Sequence, residues 1–139
     1  MQWFMTFESA TDKPASEVAE DPPAGRELAL ALETGVQQRG VAIQQPLDQH
    51  DSYGWYFIAA ADEQIVWCML QWSGEWLLIM KPEMPVFKRL LGWKVDEASY
   101  RRVREAIHAT ASSLPGVAGI RWFTRQEYER QGPGSGAPK

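Results

Sequence analysis

The stretch that decides the fold is YGWYFIAAADEQIVWCMLQWSGEWLLIM, residues 53–80. It divides into three apolar runs, 53–61, 65–72 and 75–80, separated by Asp62-Glu63-Gln64 and by Ser73-Gly74. Each run is rich in aromatic and β-branched side chains and short for a buried helix, so each reads as a strand. Ser73-Gly74 reads as a two-residue hairpin loop, because glycine takes positive φ at no steric cost. Together the runs predict a three-stranded antiparallel meander over 53–80.

Those loop lengths imply a register. Trp72 falls opposite Glu75, Leu70 opposite Leu77, Cys68 opposite Ile79, Ala61 opposite Ile65 and Phe57 opposite Met69. Opposed residues share a face, and each strand alternates between faces. One face then carries Tyr56, Ile58, Cys68, Leu70, Leu77 and Ile79. The other carries Trp55, Phe57, Ala59, Trp67, Met69, Trp76, Leu78 and Met80. Both are apolar, whereas a sheet with one wet face alternates apolar and polar positions. A slip of one residue would exchange members of the two sets.

Working outward, residues 2–8 read as a strand and 9–25 as a loop. Asp21-Pro22-Pro23 can start a helix, with Asp21 as its N-cap, and Leu28, Ala31, Leu32, Gly35 and Val36 form its apolar stripe. Residues 41–43 read as a short strand and 44–52, polar and holding Pro46, as a loop. Pro82 and Pro85 end strand pairing, and residues 86–91 make a helical turn closed by Gly92. Asp96 caps a second long helix over 97–112, with Tyr100, Val103 and Ile107 inward. Residues 117–124 read as a last strand. Thr124 and Glu127 then have the spacing of a capping box for a short C-terminal helix.

The fold class is therefore α+β: one domain over 1–130, an antiparallel sheet of about five strands, and two main helices on one face. Residues 131–139 read as a flexible Gly/Pro tail. The aliphatic sheet face suits the Leu, Ile and Ala stripes of the helices. The aromatic and Met face then needs cover from the N-terminal segment, the 82–95 segment, a second copy or a partner.

Composition narrows the function. Hydrophobic residues at 45% with charged residues at 23% exclude a disordered chain. A net charge of −4 argues against a general nucleic-acid binder. One cysteine, Cys68, excludes an internal disulfide framework and a Cys-rich zinc site, and its place inside an apolar run reads as inert core. The first residues carry no basic region ahead of an apolar core, and no run approaches the ~20 residues that span a bilayer. The expectation is a cytoplasmic protein with no membrane partner. Charge is uneven: residues 1–63 hold three basic and eleven acidic side chains, residues 81–104 seven basic and three acidic. Such fields steer partners more than they shape folds.

Two function classes follow. The first is a small, acidic, non-enzymatic binding protein (bacterial immunity-, adaptor- or chaperone-like) with another protein as partner. It would use Trp55, Phe57, Trp67, Met69, Trp72 and Trp76 on the aromatic sheet face, and a homodimer is open to it. Trp and Met side chains suit this, since they supply large and adaptable contact area. The second is a small enzyme or ligand-binding domain built on His50, which has Asp48 and Asp51 beside it in sequence, next to an aromatic pocket. A histidine flanked by carboxylates can act as a general base. No Gly-rich phosphate loop after a strand and no Gly-x-Ser-x-Gly elbow is present, so no catalytic residue, cofactor or metal is implied.

Overall fold

The computed structural model describes residues 1–10, 22–84 and 86–139. Among them, six strands form one sheet: β1 (Gln2–Ser9), β2 (Ala42–His50), β3 (Gly54–Ala61), β4 (Gln64–Trp72), β5 (Trp76–Glu83) and β6 (Val117–Thr124). Four helices accompany them: α1 (Arg26–Gln38), α2 (Val86–Leu90), α3 (Glu97–Ser113) and α4 (Arg125–Glu129). The sheet order is β2-β3-β4-β5-β1-β6, with every neighbouring pair antiparallel. The expected α+β class, the meander and the two main helices are all present. The sheet has six strands, close to the expected five or so, and the short strand expected at 41–43 runs on to His50 because residues 44–50 pair along β3 instead of looping.

Pro46 is tolerated in β2 because β2 is an edge strand, and two irregularities in its pairing with β3, between Ile43 and Gln45 and between Gln45 and Asp48, take up the misfit. Pro82 likewise does not end β5. It pairs with Val66, and pairing continues to Glu83 opposite Ile65. The β1 pairing has stopped by then, at Phe4 opposite Ile79, so only β4 flanks this part of β5.

Both turns of the meander differ from expectation by one residue, in opposite senses. Ala61 pairs with Gln64, so Asp62-Glu63 is the two-residue loop, and Asp62 takes the left-handed conformation at φ 52. Aspartate tolerates that region better than most side chains. Trp72 pairs with Trp76, so Ser73-Gly74-Glu75 is a three-residue loop with Gly74 at φ 81. Hence Phe57 faces Cys68, Leu70 faces Leu78 and Cys68 faces Met80. The whole of β4 is turned over relative to the predicted register, which exchanges Trp67 and Met69 for Cys68 and Leu70.

The corrected register sorts the side chains cleanly. Trp55, Phe57, Ala59, Val66, Cys68, Leu70, Trp76, Leu78 and Met80 share one face, joined by Met5, Phe7 and Trp122, and all are buried. Both long helices lie on this face. α1 packs on β2, β3 and α3, and α3 packs on β3, β4 and β6. α1 buries Leu28, Ala29, Leu32, Gly35 and Val36, and α3 buries Tyr100, Val103, Ile107 and Ala111 among others.

Asp96 caps α3 as expected, accepting from Ser99 N–H at 3.1 Å. Hydrogen bonds from Ser99 hold the Asp96 carboxyl below its usual pKa range. α1 starts later than expected, at Arg26 with Gly25 before it at φ 101. A Cβ at Gly25 would lie 2.7 Å from the Trp76 ring, so glycine is required there twice over. The proposed cap Asp21 lies outside the described residues, as does most of the expected 9–25 loop.

The expected flexible tail is tied to the sheet. Trp122 and Ser135 exchange main-chain hydrogen bonds of 2.7 and 2.8 Å, and the Gln2 side chain donates to Ser135 Oγ at 2.8 Å.

Cys68 is fully buried, and burial pushes its thiol pKa far up, which keeps it protonated and inert. Replacing Cys68 with Ala is expected to cost about 1–2 kcal/mol as a small cavity. Chemical denaturation measures that cost, and rapid alkylation of the native thiol would contradict the inert assignment.

Candidate binding surface on the open face of the sheet

Alternation along the strands puts a second set of apolar side chains on the face away from α1 and α3. Tyr56 and Ile58 come from β3, Ile65, Trp67 and Met69 from β4, and Ile79 from β5. Each is half-buried. Side-by-side packing within a sheet produces this state, since neighbouring strands hide the flanks of each side chain.

At the β1–β6 end α4 supplies some cover. Thr124 and Glu127 form the capping box read from the sequence, and this one-turn helix places Tyr128 over Phe4 at 5.1 Å, nearly parallel, and edge-on to Phe123 at 5.8 Å. The β2–β4 end carries instead an uncapped aromatic row. The Tyr53 and His50 rings are 6.0 Å apart, His50 meets Tyr56 edge-on at 5.9 Å, and Tyr56 stacks on Trp67 at 5.2 Å with 12° between planes. Tyr53 and His50 are exposed, and so are the adjoining Asp48 and Asp51. The row is thus aromatic along its length and acidic at its margin.

Trp67 differs from Trp55 and Trp122 in its polar atom. Trp55 Nε1 donates to the Pro23 carbonyl at 2.8 Å and Trp122 Nε1 to His108 Nδ1 at 3.0 Å. Trp67 Nε1 is buried without an acceptor among the described residues, and so is that of Trp76. A buried donor left unpaired costs about 1–3 kcal/mol.

Of the six residues read from the sequence as a binding set, Trp67 and Met69 lie on the open face. Trp55, Phe57 and Trp76 are buried beneath the helices, and Trp72 is half-buried on that same side, edge-on to Trp76 at 5.1 Å. The set therefore does not form one surface. The turned-over β4 is the cause: it drew Trp67 and Met69 into a group with residues from the opposite face. Tyr56, Ile58, Ile65 and Ile79, with His50 and Tyr53 as ring contacts, are the members that the sequence reading missed. The same alternation would have found them with the turn lengths corrected.

The alternative site is also resolved into its parts. His50 sits on the open face and Trp55 and Trp76 on the other, so the sheet itself separates them. The Asp48 carboxylate accepts from Gln49 N–H at 2.8 Å, and His50 contacts the Tyr53 and Tyr56 rings. Among the described residues no three His, Cys, Asp or Glu side chains converge as a metal site would. The strongly shifted groups belong to the core. Burial raises the Tyr100 phenol, which donates toward the carbonyls of Met80 and Gln2 at 2.9 and 3.0 Å. Burial lowers the His108 pKa and keeps Nδ1 free to accept from Trp122.

No protein-family model matches the chain, and no curated protein or solved structure matches it.

Proposed function

We propose that this chain is a non-enzymatic binding protein of the immunity-, adaptor- or chaperone-like kind. In this reading it works in the cytoplasm and holds a segment of a partner protein on the open face of its sheet. The observation that carries the reading is the aromatic row Tyr53–His50–Tyr56–Trp67, continued by Met69, Ile58 and Ile79, on a face that neither long helix covers. A soluble sheet normally puts polar side chains on such a face. Aromatic and Met side chains supply contact area at low entropic cost and adapt to irregular surfaces. Asp48 and Asp51 at the margin suit a partner segment that carries Lys or Arg beside apolar residues, and opposite charge there would speed encounter.

The test is affinity capture from the native host with the wild-type chain, identification of the retained protein by mass spectrometry, and calorimetry with the purified pair. Trp67→Ala is expected to weaken binding by about 2 kcal/mol, about thirtyfold, as a hot-spot residue does. The exposed Tyr53→Ala gives a second reading with no cost to the core. A partner bound equally by wild type and by both folded variants would place binding elsewhere.

A further inference from the structure

A different surface has no part in that reading. The chain leaves the sheet at Glu83 and enters α3 at Glu97, and one side chain closes the neck between them. Gln64 Nε2 donates to the Glu83 carbonyl at 3.0 Å, and Gln64 Oε1 accepts from Asp96 N–H at 2.9 Å. Between these ties stands α2. A Schellman motif ends it: Gly92, at φ 80, donates to the Arg89 carbonyl at 3.0 Å and Trp93 N–H to the Lys88 carbonyl at 3.0 Å. The Lys88 ammonium then rests over the Trp93 ring at 4.9 Å. The described residues of the excursion form a knob on a closed neck.

Its composition is the reverse of an ordinary surface turn. Val86, Phe87, Leu90, Leu91 and Trp93 are between 55% and 82% exposed. Lys88, Arg89 and Lys94 are interleaved with them. Beside the knob lies a groove of about 430 Å3, with Trp3, Pro82 and Trp93 among its walls and, among the described residues, Lys81, Arg89 and Lys94 as its cations and Glu83 as its one carboxylate. Large apolar side chains are rarely left in water in such a cluster. We propose that the knob is a membrane-surface anchor. Phe87, Leu90, Leu91 and Trp93 enter the headgroup boundary of an anionic bilayer, while Lys88, Arg89 and Lys94 meet lipid phosphates.

Charge complementarity selects this occupant. The chain as a whole carries −4 and is repelled by an anionic surface, yet residues 81–95 hold Lys81, Lys88, Arg89 and Lys94 against the single acidic Glu83. Contact through the knob is the orientation such a surface favours. Apolar burial and cation–phosphate attraction add in this geometry, as they do for amphipathic helices lying in the interface plane. Tryptophan is at home at that depth. No helix among the described residues is long and apolar enough to cross a membrane, so the contact is peripheral. It departs from the expectation of no membrane partner, which rested on the N-terminal residues and on spanning length and did not weigh contact at the membrane surface.

The test is co-sedimentation of the full chain with vesicles of phosphatidylcholine mixed with phosphatidylglycerol, against phosphatidylcholine alone. The expected result is binding about a hundredfold tighter to the anionic vesicles, weakened by added salt. Lys88→Glu/Arg89→Glu/Lys94→Glu should abolish that preference, and Leu90→Asp/Leu91→Asp should lower binding at least about tenfold. All these side chains are exposed or half-exposed, so the circular dichroism and melting temperature of both variants should match wild type. If one variant fails to fold, the other decides. Three results would overturn the anchor: no binding to anionic vesicles, equal binding to both vesicle types, or full binding by the folded variants. A fourth would do the same, namely a dimer in light scattering that Leu90→Asp/Leu91→Asp dissolves, without vesicle binding. The knob would then seat on a second copy.

Discussion

Replacing Trp76 with Ala is expected to unfold the protein or leave it barely folded, with a loss of about 3–5 kcal/mol. Domains of this size carry about 5–15 kcal/mol in all. Trp76 is fully buried, meets Trp72 edge-on at 5.1 Å, pairs across strands with Phe7 and lies against Gly25 where α1 begins. Truncation would leave a cavity bounded by a strand, a helix start and a hairpin, which cannot all collapse inward. From sequence, its place beside a turn made Trp76 a good binding candidate. Its burial makes it the keystone of that end of the core instead. Trp76→Phe separates size from polarity. The Trp76 Nε1 has no acceptor among the described residues, so Phe loses volume but no hydrogen bond to any of them, and its cost should stay under about 1.5 kcal/mol. Urea denaturation of the two variants is the measurement. An Ala variant as stable as wild type would refute the packing described for this face.

How far the fold was legible follows from which signals were local. α3 is recovered within a residue because its cap, its stripe and its Leu114-Pro115-Gly116 stop all lie within a few positions of one another. The capping box of α4 is equally local. β2 is recovered only at its start, within the short strand read over 41–43, since an edge strand with Pro46 and two irregularities looks from there on like a polar loop until its partner strand is known. The register of the meander is the subtler case. Asp62-Glu63-Gln64 and Ser73-Gly74-Glu75 differ only in which carries the extra residue, and both faces of the sheet are apolar. Hydrophobic patterning therefore had nothing to discriminate with. The candidate surface inherits that ambiguity: Trp67 and Met69 were found, while Tyr56 was placed with Cys68 and Leu70, which are core. The α2 knob was read as a helical turn, but its exposure could not be foreseen, because a pattern such as VFKRLLGW ordinarily signals burial. The docking of residues 131–139 rests on main-chain bonds at Ser135 and on the Gln2 and Arg104 side chains, which reach Ser135 and Lys139 from far away in sequence, so nothing local to the tail announces it.

Gly35→Ala is the second substitution with a large expected effect, and its sign is set by two opposed terms. Gly35 lies in the interior of α1, where Ala is the better helix former by about 1 kcal/mol. A Cβ at that position, however, would stand 2.2 Å from Thr110 Cγ2 and 2.8 Å from its Oγ1, at the contact between α1 and α3. Thr110 cannot give way easily. It is buried and β-branched, its hydroxyl donates to the Ala106 carbonyl at 2.7 Å, and it accepts from the Arg39 guanidinium at 3.2 Å. The helices must separate, and overpacking of this kind costs about 1–3 kcal/mol. With Thr110 locked from two sides the upper part of that range applies, so the net loss should be about 2 kcal/mol. The contact also makes its own control. In a Thr110→Ala background the two nearest atoms are gone and the residue 110 Cβ, at 3.1 Å, is the nearest that remains, so Gly35→Ala should there become neutral or stabilising. A double-mutant cycle by chemical denaturation measures the coupling directly. Equal effects of Gly35→Ala in the two backgrounds would mean that α1 and α3 do not approach through Gly35 and Thr110.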